Sequence, residues 1–194
     1  MQCHPVAGDR INLYGLVSYL PDPLGSFLDE MRRELVPSCF AQSHLSVLPP
    51  RALAFDEAHA QQQLAEAVQD LRPFQVELRD VEIFDKTFVI YLGVGRGGDE
   101  LRRMHECLNF KYLASPEIHS FHPHITLAQD FDFQELDRLA GLARKMWAAF
   151  PHRRWFDVER LTFVQNTSTK QWVDLAEFSL GSRNGQGAAS IRTS

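Results

Sequence analysis

Two histidines stand in the same short pattern at two places in the chain, as His44-Leu45-Ser46 and as His124-Ile125-Thr126. Side chains two residues apart in a β-strand point to the same face, so each histidine would share a face with a hydroxyl residue. An imidazole takes up and releases a proton near neutral pH, and a hydroxyl donates a hydrogen bond to a phosphoryl oxygen. Two such pairs facing each other could bind a phosphate, activate a water molecule and protonate a leaving oxygen.

The elements around the first motif follow one another in a regular order. The apolar run at 11–20 predicts a strand, and apolar residues at helical spacing from Leu24 to Leu35 predict a helix. Residues 43–48 alternate between polar and apolar, which is typical of a short strand with two different faces. A helix capped by Asp56 and a strand at 74–84 complete this half.

The second half repeats this order. A strand is predicted at 87–93, a helix at 99–113 and a short strand at 122–128, followed by a helix after Asp132 and closing strands at 154–164 and 171–180. The repeat predicts an α+β fold of two similar lobes related by a pseudo-two-fold axis, with a central groove between them. We expect residues 1–180 to form one bilobal domain whose lobes share the core, and 181–194 to form a flexible tail.

Composition narrows the classes of function. The 194 residues are 44% hydrophobic, which excludes disorder for most of the chain, and 20 Lys and Arg against 25 Asp and Glu give a net charge of −5. That balance argues against binding of long duplex nucleic acid but allows a local site for a small or terminal phosphate. Three scattered cysteines, no signal peptide and no long apolar run predict a cytoplasmic protein without membrane contact. We favour a monomer.

The segments HLSVLPP, RPFQVEL, FVIYLGV and FHPHITLAQ together resemble the 2H phosphoesterase superfamily, and most closely its bacterial 2′-5′ RNA ligase-like branch of LigT-like cyclic phosphodiesterases. The resemblance covers roughly residues 10–180 and implies a bilobal α+β fold. It also implies hydrolysis of 2′,3′-cyclic phosphates without a metal or cofactor, typically leaving a 2′-phosphate. The substrate would be a small cyclic phosphate or an RNA terminus.

The resemblance assigns roles to individual residues. His44 and His124 match the catalytic histidines of the family, and Ser46 and Thr126 match its phosphate-binding hydroxyls. Gln129 stands where related sequences often carry Arg or another group that contacts the substrate. The symmetry of the pattern leaves open which histidine is the acid and which is the base.

Five further residues are candidates for substrate contact. His122 would share a strand face with His124, and Lys86 and Lys170 lie in turns next to strand ends. Tyr14 and Phe88 could stack on a base, although the apolar runs around them favour a place in the core.

Two other functions compete with a paired-histidine enzyme. A binding module could hold an RNA end or a phosphorylated metabolite without turnover. A cluster of His119, His122 and His124 could instead bind a metal ion and support a metal-dependent hydrolase. The glycine-rich run at 93–98 lacks the Lys-Ser/Thr pair of a P-loop, so we interpret it as a turn between a strand and a helix.

Overall fold

A computed structural model describes residues 8–39, 41–117 and 120–181, which form eight strands and four α-helices. In chain order the elements are β1 (Arg10–Tyr19), α1 (Leu24–Leu35), β2 (His44–Arg51), α2 (Glu57–Ala67), β3 (Phe74–Ile83), β4 (Ile90–Val94), α3 (Gly98–Leu108), β5 (His124–Ala128), α4 (Leu136–Ala149), β6 (Trp155–Val158), β7 (Arg160–Thr167) and β8 (Trp172–Ser179). Single turns of 3-10 helix lie at Lys111–Leu113 and Phe133–Glu135.

The strands form two four-stranded antiparallel sheets, in the orders β2-β1-β7-β8 and β5-β4-β3-β6. The two histidine strands, β2 and β5, are edge strands, and they pack against each other where the sheets meet. The predicted α+β fold with two similar lobes is confirmed. Because the edges meet, the histidine-bearing faces of the two sheets border a common groove.

The lobes do not coincide with the two halves of the sequence. β3 belongs to the first half of the repeat but pairs with β4 and β6 in the second sheet, while β7 and β8 complete the first sheet. The short turn at 84–89 explains the exchange, because two strands joined by so short a connection can only pair antiparallel with each other. Each sheet therefore contains strands from both halves.

Several predicted boundaries were wrong. The helix expected at 99–113 ends at Leu108, where Asn109 leaves the helical conformation. The strand expected at 154–164 is two strands, β6 and β7, which belong to different sheets. The strand expected from residue 87 begins at Ile90, because residues 84–89 form the turn.

The core lies beneath the histidine strands. Leu45 and Val47 of β2 are fully buried, as is Ile125 of β5, while the histidine and hydroxyl residues that alternate with them are partly accessible. The period of two over 44–47 and 124–127 places the apolar residues of these stretches against the helices and the polar ones on the groove side. One continuous cluster of buried apolar side chains includes residues from both sheets.

Two helices connect the lobes. α1 packs against β5 and α4, and α3 packs against β2. The second contact includes a hydrogen bond, because His105 Nδ1 of α3 lies 2.7 Å from the Val47 carbonyl oxygen and donates to it. The helix that covers β5 is α1, which follows inner strand β1 of the other sheet, and the helix that covers β2 is α3, which follows inner strand β4. The relative position of β2 and β5 therefore depends on both helices.

The glycine-rich run at 93–98 forms the predicted turn between β4 and α3. Gly97 adopts a left-handed conformation with φ of +86°, and a Cβ atom there would lie 2.5 Å from the Gln75 carbonyl oxygen. The backbone N–H groups of two neighbouring glycines are used in hydrogen bonds within the fold. Gly95 N–H donates to the Glu77 carbonyl, and Gly98 N–H donates to the Gly95 carbonyl.

None of the helices in the described ranges has the length and apolar character needed to cross a membrane. Apart from Gly181, the predicted tail lies outside the described residues.

Candidate active site

The two histidines make the same local hydrogen bond. His44 Nδ1 lies 2.7 Å from the carbonyl oxygen of Gln42, and His124 Nδ1 lies 2.7 Å from that of His122. A carbonyl oxygen can only accept, so both Nδ1 atoms must carry a hydrogen. In a neutral imidazole the remaining nitrogen then has a free lone pair. Each ring therefore presents Nε2 as the atom that can take up a proton.

The two hydroxyl residues accompany the histidines as the strand period predicts. Ser46 and Thr126 are half-buried, on the same strand faces as His44 and His124. Neither hydroxyl forms a hydrogen bond with another residue of the described chain, so both are available to a ligand. Each strand thus contributes one imidazole and one hydroxyl to the groove.

A tyrosine flanks each histidine. The Tyr19 ring meets the His44 ring edge-on at 6.4 Å, and its hydroxyl donates to Asp174 Oδ1 at 2.6 Å. The Tyr91 ring meets the His124 ring at 5.4 Å, and its hydroxyl donates to Glu82 Oε2 at 2.9 Å. Burial and the hydrogen bond to Glu82 raise the pKa of Tyr91 to about 12, and burial and Asp174 raise the pKa of Tyr19. Both phenols stay protonated at neutral pH.

Phe84 adds an aromatic surface on the His124 side of the candidate site. Its ring stacks on Tyr91 at 4.0 Å and meets the His124 ring edge-on at 5.0 Å and the His122 ring at 5.3 Å. This residue was not among the predicted site residues. The alternation along 74–84 could have indicated it, because Phe84 continues the face of Glu82 just beyond the end of β3.

The protonation equilibria of the two histidines are both displaced toward the neutral form. Burial lowers the pKa of His44 to about 4, with further lowering by the charges of Arg32 and His124, while the Gln42 carbonyl and Asp29 oppose the change. Burial also lowers the pKa of His124, as does the charge of His122. Because a charge on His124 acts on His44, the two imidazoles belong to one electrostatic site. Both are neutral at pH 7 in the free protein.

The structure places His122 in this site and Gln129 directly after β5. His122 precedes β5; its ring is exposed, 6.4 Å from the His124 ring and edge-on to Tyr91, while its carbonyl holds His124. Gln129 is exposed at the opposite end of β5 from His124.

The other candidates for substrate contact are not brought together. Lys86 is exposed in the turn between β3 and β4, and Lys170 is exposed in the turn between β7 and β8. Phe88 is exposed and packs against Phe133 at 4.7 Å. Tyr14 is buried in the core, where its ring stacks on that of Phe163 in the neighbouring strand β7 at 5.4 Å.

The alternative metal cluster would consist of His119, His122 and His124. His119 lies outside the described residues, and His124 uses its Nδ1 hydrogen on the His122 carbonyl. Across 8–39, 41–117 and 120–181, no three His, Cys, Asp or Glu residues are grouped so that they could hold a metal ion.

Residues 20–170 match the sequence profile of the 2′-5′ RNA ligase superfamily. The chain belongs to this superfamily. The match covers both histidine motifs, so membership of the superfamily, predicted from those motifs, is confirmed. The candidate site of this 2′-5′ RNA ligase superfamily member combines two imidazoles, two hydroxyls and an aromatic flank.

A curated relative and two solved structures are similar to this superfamily member. An RNA 2′,3′-cyclic phosphodiesterase of Aeropyrum pernix is 38% identical over 79 residues, which are 38% of this chain and 45% of the relative. The match therefore spans less than half of the relative's length. E. coli LigT, solved with phosphate, has a TM-score of 0.60 at 16% identity, covering 90% of this chain and 99% of LigT. The protein TT0787 of Thermus thermophilus has a TM-score of 0.53 at 18% identity, covering 89% and 100%. At these identities the two structures show a shared fold.

The hydrogen bonds to the Gln42 and His122 carbonyls predict the tautomer of both histidines. At pH 7 we expect His44 and His124 to carry their hydrogen on Nδ1 and none on Nε2, because a backbone carbonyl accepts from each Nδ1. Nitrogen-15 chemical shifts of the imidazoles, assigned with His44→Gln and His124→Gln, would measure this. A hydrogen on Nε2 of either ring would contradict the geometry.

Proposed function

We propose that this protein hydrolyses a cyclic phosphodiester, namely the 2′,3′-cyclic phosphate of a nucleotide or RNA end, by acid–base catalysis between His44 and His124 without a metal ion. The observation that carries the proposal is the matched pair of histidines, each with Nδ1–H bound to a backbone carbonyl and with Nε2 lacking a hydrogen-bond partner among the described residues. A binding module would need only hydrogen-bond donors, whereas two oriented imidazoles suit proton transfer. The names of the Aeropyrum relative and the superfamily support the same reaction class.

In the proposed reaction, a water oxygen attacks phosphorus while the bond from phosphorus to one ribose oxygen breaks. The Nε2 atom of the neutral imidazole takes the proton from water, and the Nε2–H of the protonated imidazole gives a proton to the ribose oxygen. The ring opens to a phosphomonoester, and the two histidines have exchanged protonation states. Ser46 and Thr126 donate hydrogen bonds to the non-bridging oxygens, where negative charge increases in the transition state.

One imidazole must be protonated for this reaction, although both are neutral in the free protein at pH 7. The negative charge of a bound phosphate favours the charged form of a nearby imidazole. Substrate binding would therefore promote protonation of one of the two histidines, so that the complex contains the acid that the reaction needs. The protonated Tyr19 and Tyr91 already donate to carboxylates, so they do not compete as acids.

Turnover is tested with a panel of 2′,3′-cyclic nucleotides, a 2′-5′-linked dinucleotide and ADP-ribose 1″,2″-cyclic phosphate. We expect hydrolysis of a 2′,3′-cyclic nucleotide that excess EDTA leaves unchanged. His44→Ala and His124→Ala should each lower kcat by about 10²- to 10⁴-fold, the usual contribution of an acid–base group. The exposed His152, in the loop between α4 and β6, offers the matched control His152→Ala.

The alternatives give different results in the same assay. Binding of the cyclic nucleotide without turnover would favour the binding module. Activity that EDTA abolishes and zinc restores would favour a metal-dependent hydrolase. A single histidine variant with wild-type kcat would contradict the paired mechanism.

The hydroxyls are tested by a pair of substitutions. Thr126→Val keeps the shape and the β-branch but removes the donor, so we expect a loss of about 10²-fold in kcat/KM at every pH. Ser46→Thr keeps the hydroxyl and adds a methyl group that suits a strand, so it should be nearly silent. Steady-state kinetics on the preferred cyclic nucleotide measures both. Wild-type kcat/KM in Thr126→Val would show that the hydroxyl does not take part.

The pH dependence of kcat/KM follows from the free protein. The rate requires one neutral and one protonated imidazole, so it rises with pH through the lower pKa and falls through the higher one. The lower pKa is that of His44, about 4, and burial holds the pKa of His124 below its usual 6.5. We therefore expect a bell-shaped profile with its maximum between about pH 4 and 6.5. A maximum above pH 7 would contradict these environments.

A further inference from the structure

Arg32 of α1 is a buried cation beside the loop that precedes His44. Its side chain is only 6% exposed, and its Nη1 donates to the carbonyls of Ala41 at 3.0 Å and Gln42 at 3.2 Å, while Nη2 donates to Cys39 Sγ at 3.2 Å. Its Nε has no hydrogen-bond partner among the described residues. Within the same ranges no carboxylate forms an ion pair with it.

Such an arrangement is costly for the fold. A buried guanidinium loses its hydration, and neutral carbonyls and a thiol compensate the charge less well than a carboxylate would. An apolar side chain of similar length could fill the same volume without that cost. The positive charge therefore calls for a role beyond packing.

The Gln42 carbonyl connects this charge to the candidate active site. It accepts from Arg32 Nη1 and also from His44 Nδ1, so the two side chains share one acceptor. One turn earlier in α1, Asp29 Oδ1 accepts from the Ser43 backbone N–H at 2.6 Å. The helix thus holds the loop by two side chains, one on each side of the peptide group that orients His44.

The other histidine has no such arrangement. The His122 carbonyl accepts from His124 Nδ1, and no side-chain cation of the described residues shares it. The pseudo-two-fold symmetry of the site is therefore broken at this point.

We propose that Arg32 is a positioning residue that acts on His44 through the shared Gln42 carbonyl, holding the imidazole in place and keeping it in the neutral form. A guanidinium that polarises the carbonyl oxygen leaves less acceptor strength for the imidazole N–H and adds positive charge beside the ring. Both effects disfavour imidazolium at His44, while the imidazole at His124 lacks this restraint. The consequence for catalysis rests on the proposed function.

Within the part of the chain that the structure describes, few other charged groups lie around His44. Asp29 on α1 acts in the opposite direction from Arg32, and His124 on β5 adds positive charge only when it is protonated. From β1, Tyr19 faces the His44 ring with its hydroxyl bound to Asp174 of β8. Among these groups Arg32 is the one with a permanent positive charge.

The experiment is an NMR titration of the imidazole resonances in the free protein. In Arg32→Met we expect the pKa of His44 to rise by about one unit, with that of His124 unchanged. Arg32→Lys keeps the charge and should leave the pKa of His44 near its wild-type value. Arg33→Met, at the exposed neighbouring position, is the matched control and should change neither histidine.

Arg32→Gln keeps a donor but removes the charge, and should raise the pKa of His44 as Arg32→Met does; it replaces that variant if Arg32→Met does not fold. An unchanged pKa of His44 in Arg32→Met and Arg32→Gln would overturn the proposal. So would an equal rise in Arg32→Lys and Arg32→Met, because loss of packing alone would then explain it.

The pH profile separates this inference from the proposed function. In Arg32→Met the acid limb of kcat/KM should move up by about one unit, while the alkaline limb stays in place. Because the titration needs no substrate, it decides the role of Arg32 even if no cyclic phosphate is hydrolysed. If the enzyme is active but the pKa of His44 is unchanged in Arg32→Met and Arg32→Gln, the proposed role of Arg32 is contradicted and the proposed function is not.

Discussion

The site depends on two sheet edges lying side by side. β2 and β5 each pair with one neighbour, and their other edges face each other where the two sheets meet. Edge strands usually need protection, and here each covers the other while helices α1 and α3 cross to the opposite lobe. The groove and the meeting of two imidazoles follow from this contact. A shift of either helix would move one histidine relative to the other.

The two sides of the site are alike in local geometry and different in surroundings. Both histidines donate from Nδ1 to a carbonyl two residues earlier, and both face a tyrosine bound to a carboxylate. His44 then lies near a buried arginine, whereas His124 lies among Phe84, Tyr91 and His122. An acid–base pair needs two groups that differ in proton affinity, and the unequal surroundings provide the difference.

Element types were well predicted wherever a segment had a clear period. The alternation in β2 and β5 and the helical spacing in α1 reflect which side of each element is buried, and burial is a local property of the pattern. Strand pairing could not be predicted in the same way from the sequence. The assignment of β6 and β7 to different sheets, and of β3 to the second sheet, depends on which strand edges pair, and the residues of those strands do not specify their partner strands.

The residue pattern alone was enough to predict that each histidine of the site shares a strand face with a hydroxyl, because the side-chain period of a strand is two. The repeat of that motif also indicated a paired site. Three other relations became visible only in the folded chain: Phe84 lies against His124, Tyr14 belongs to the core, and Arg32 shares a carbonyl with His44. Those relations join residues on different elements, and proton affinity depends on the charges and burial that such packing creates.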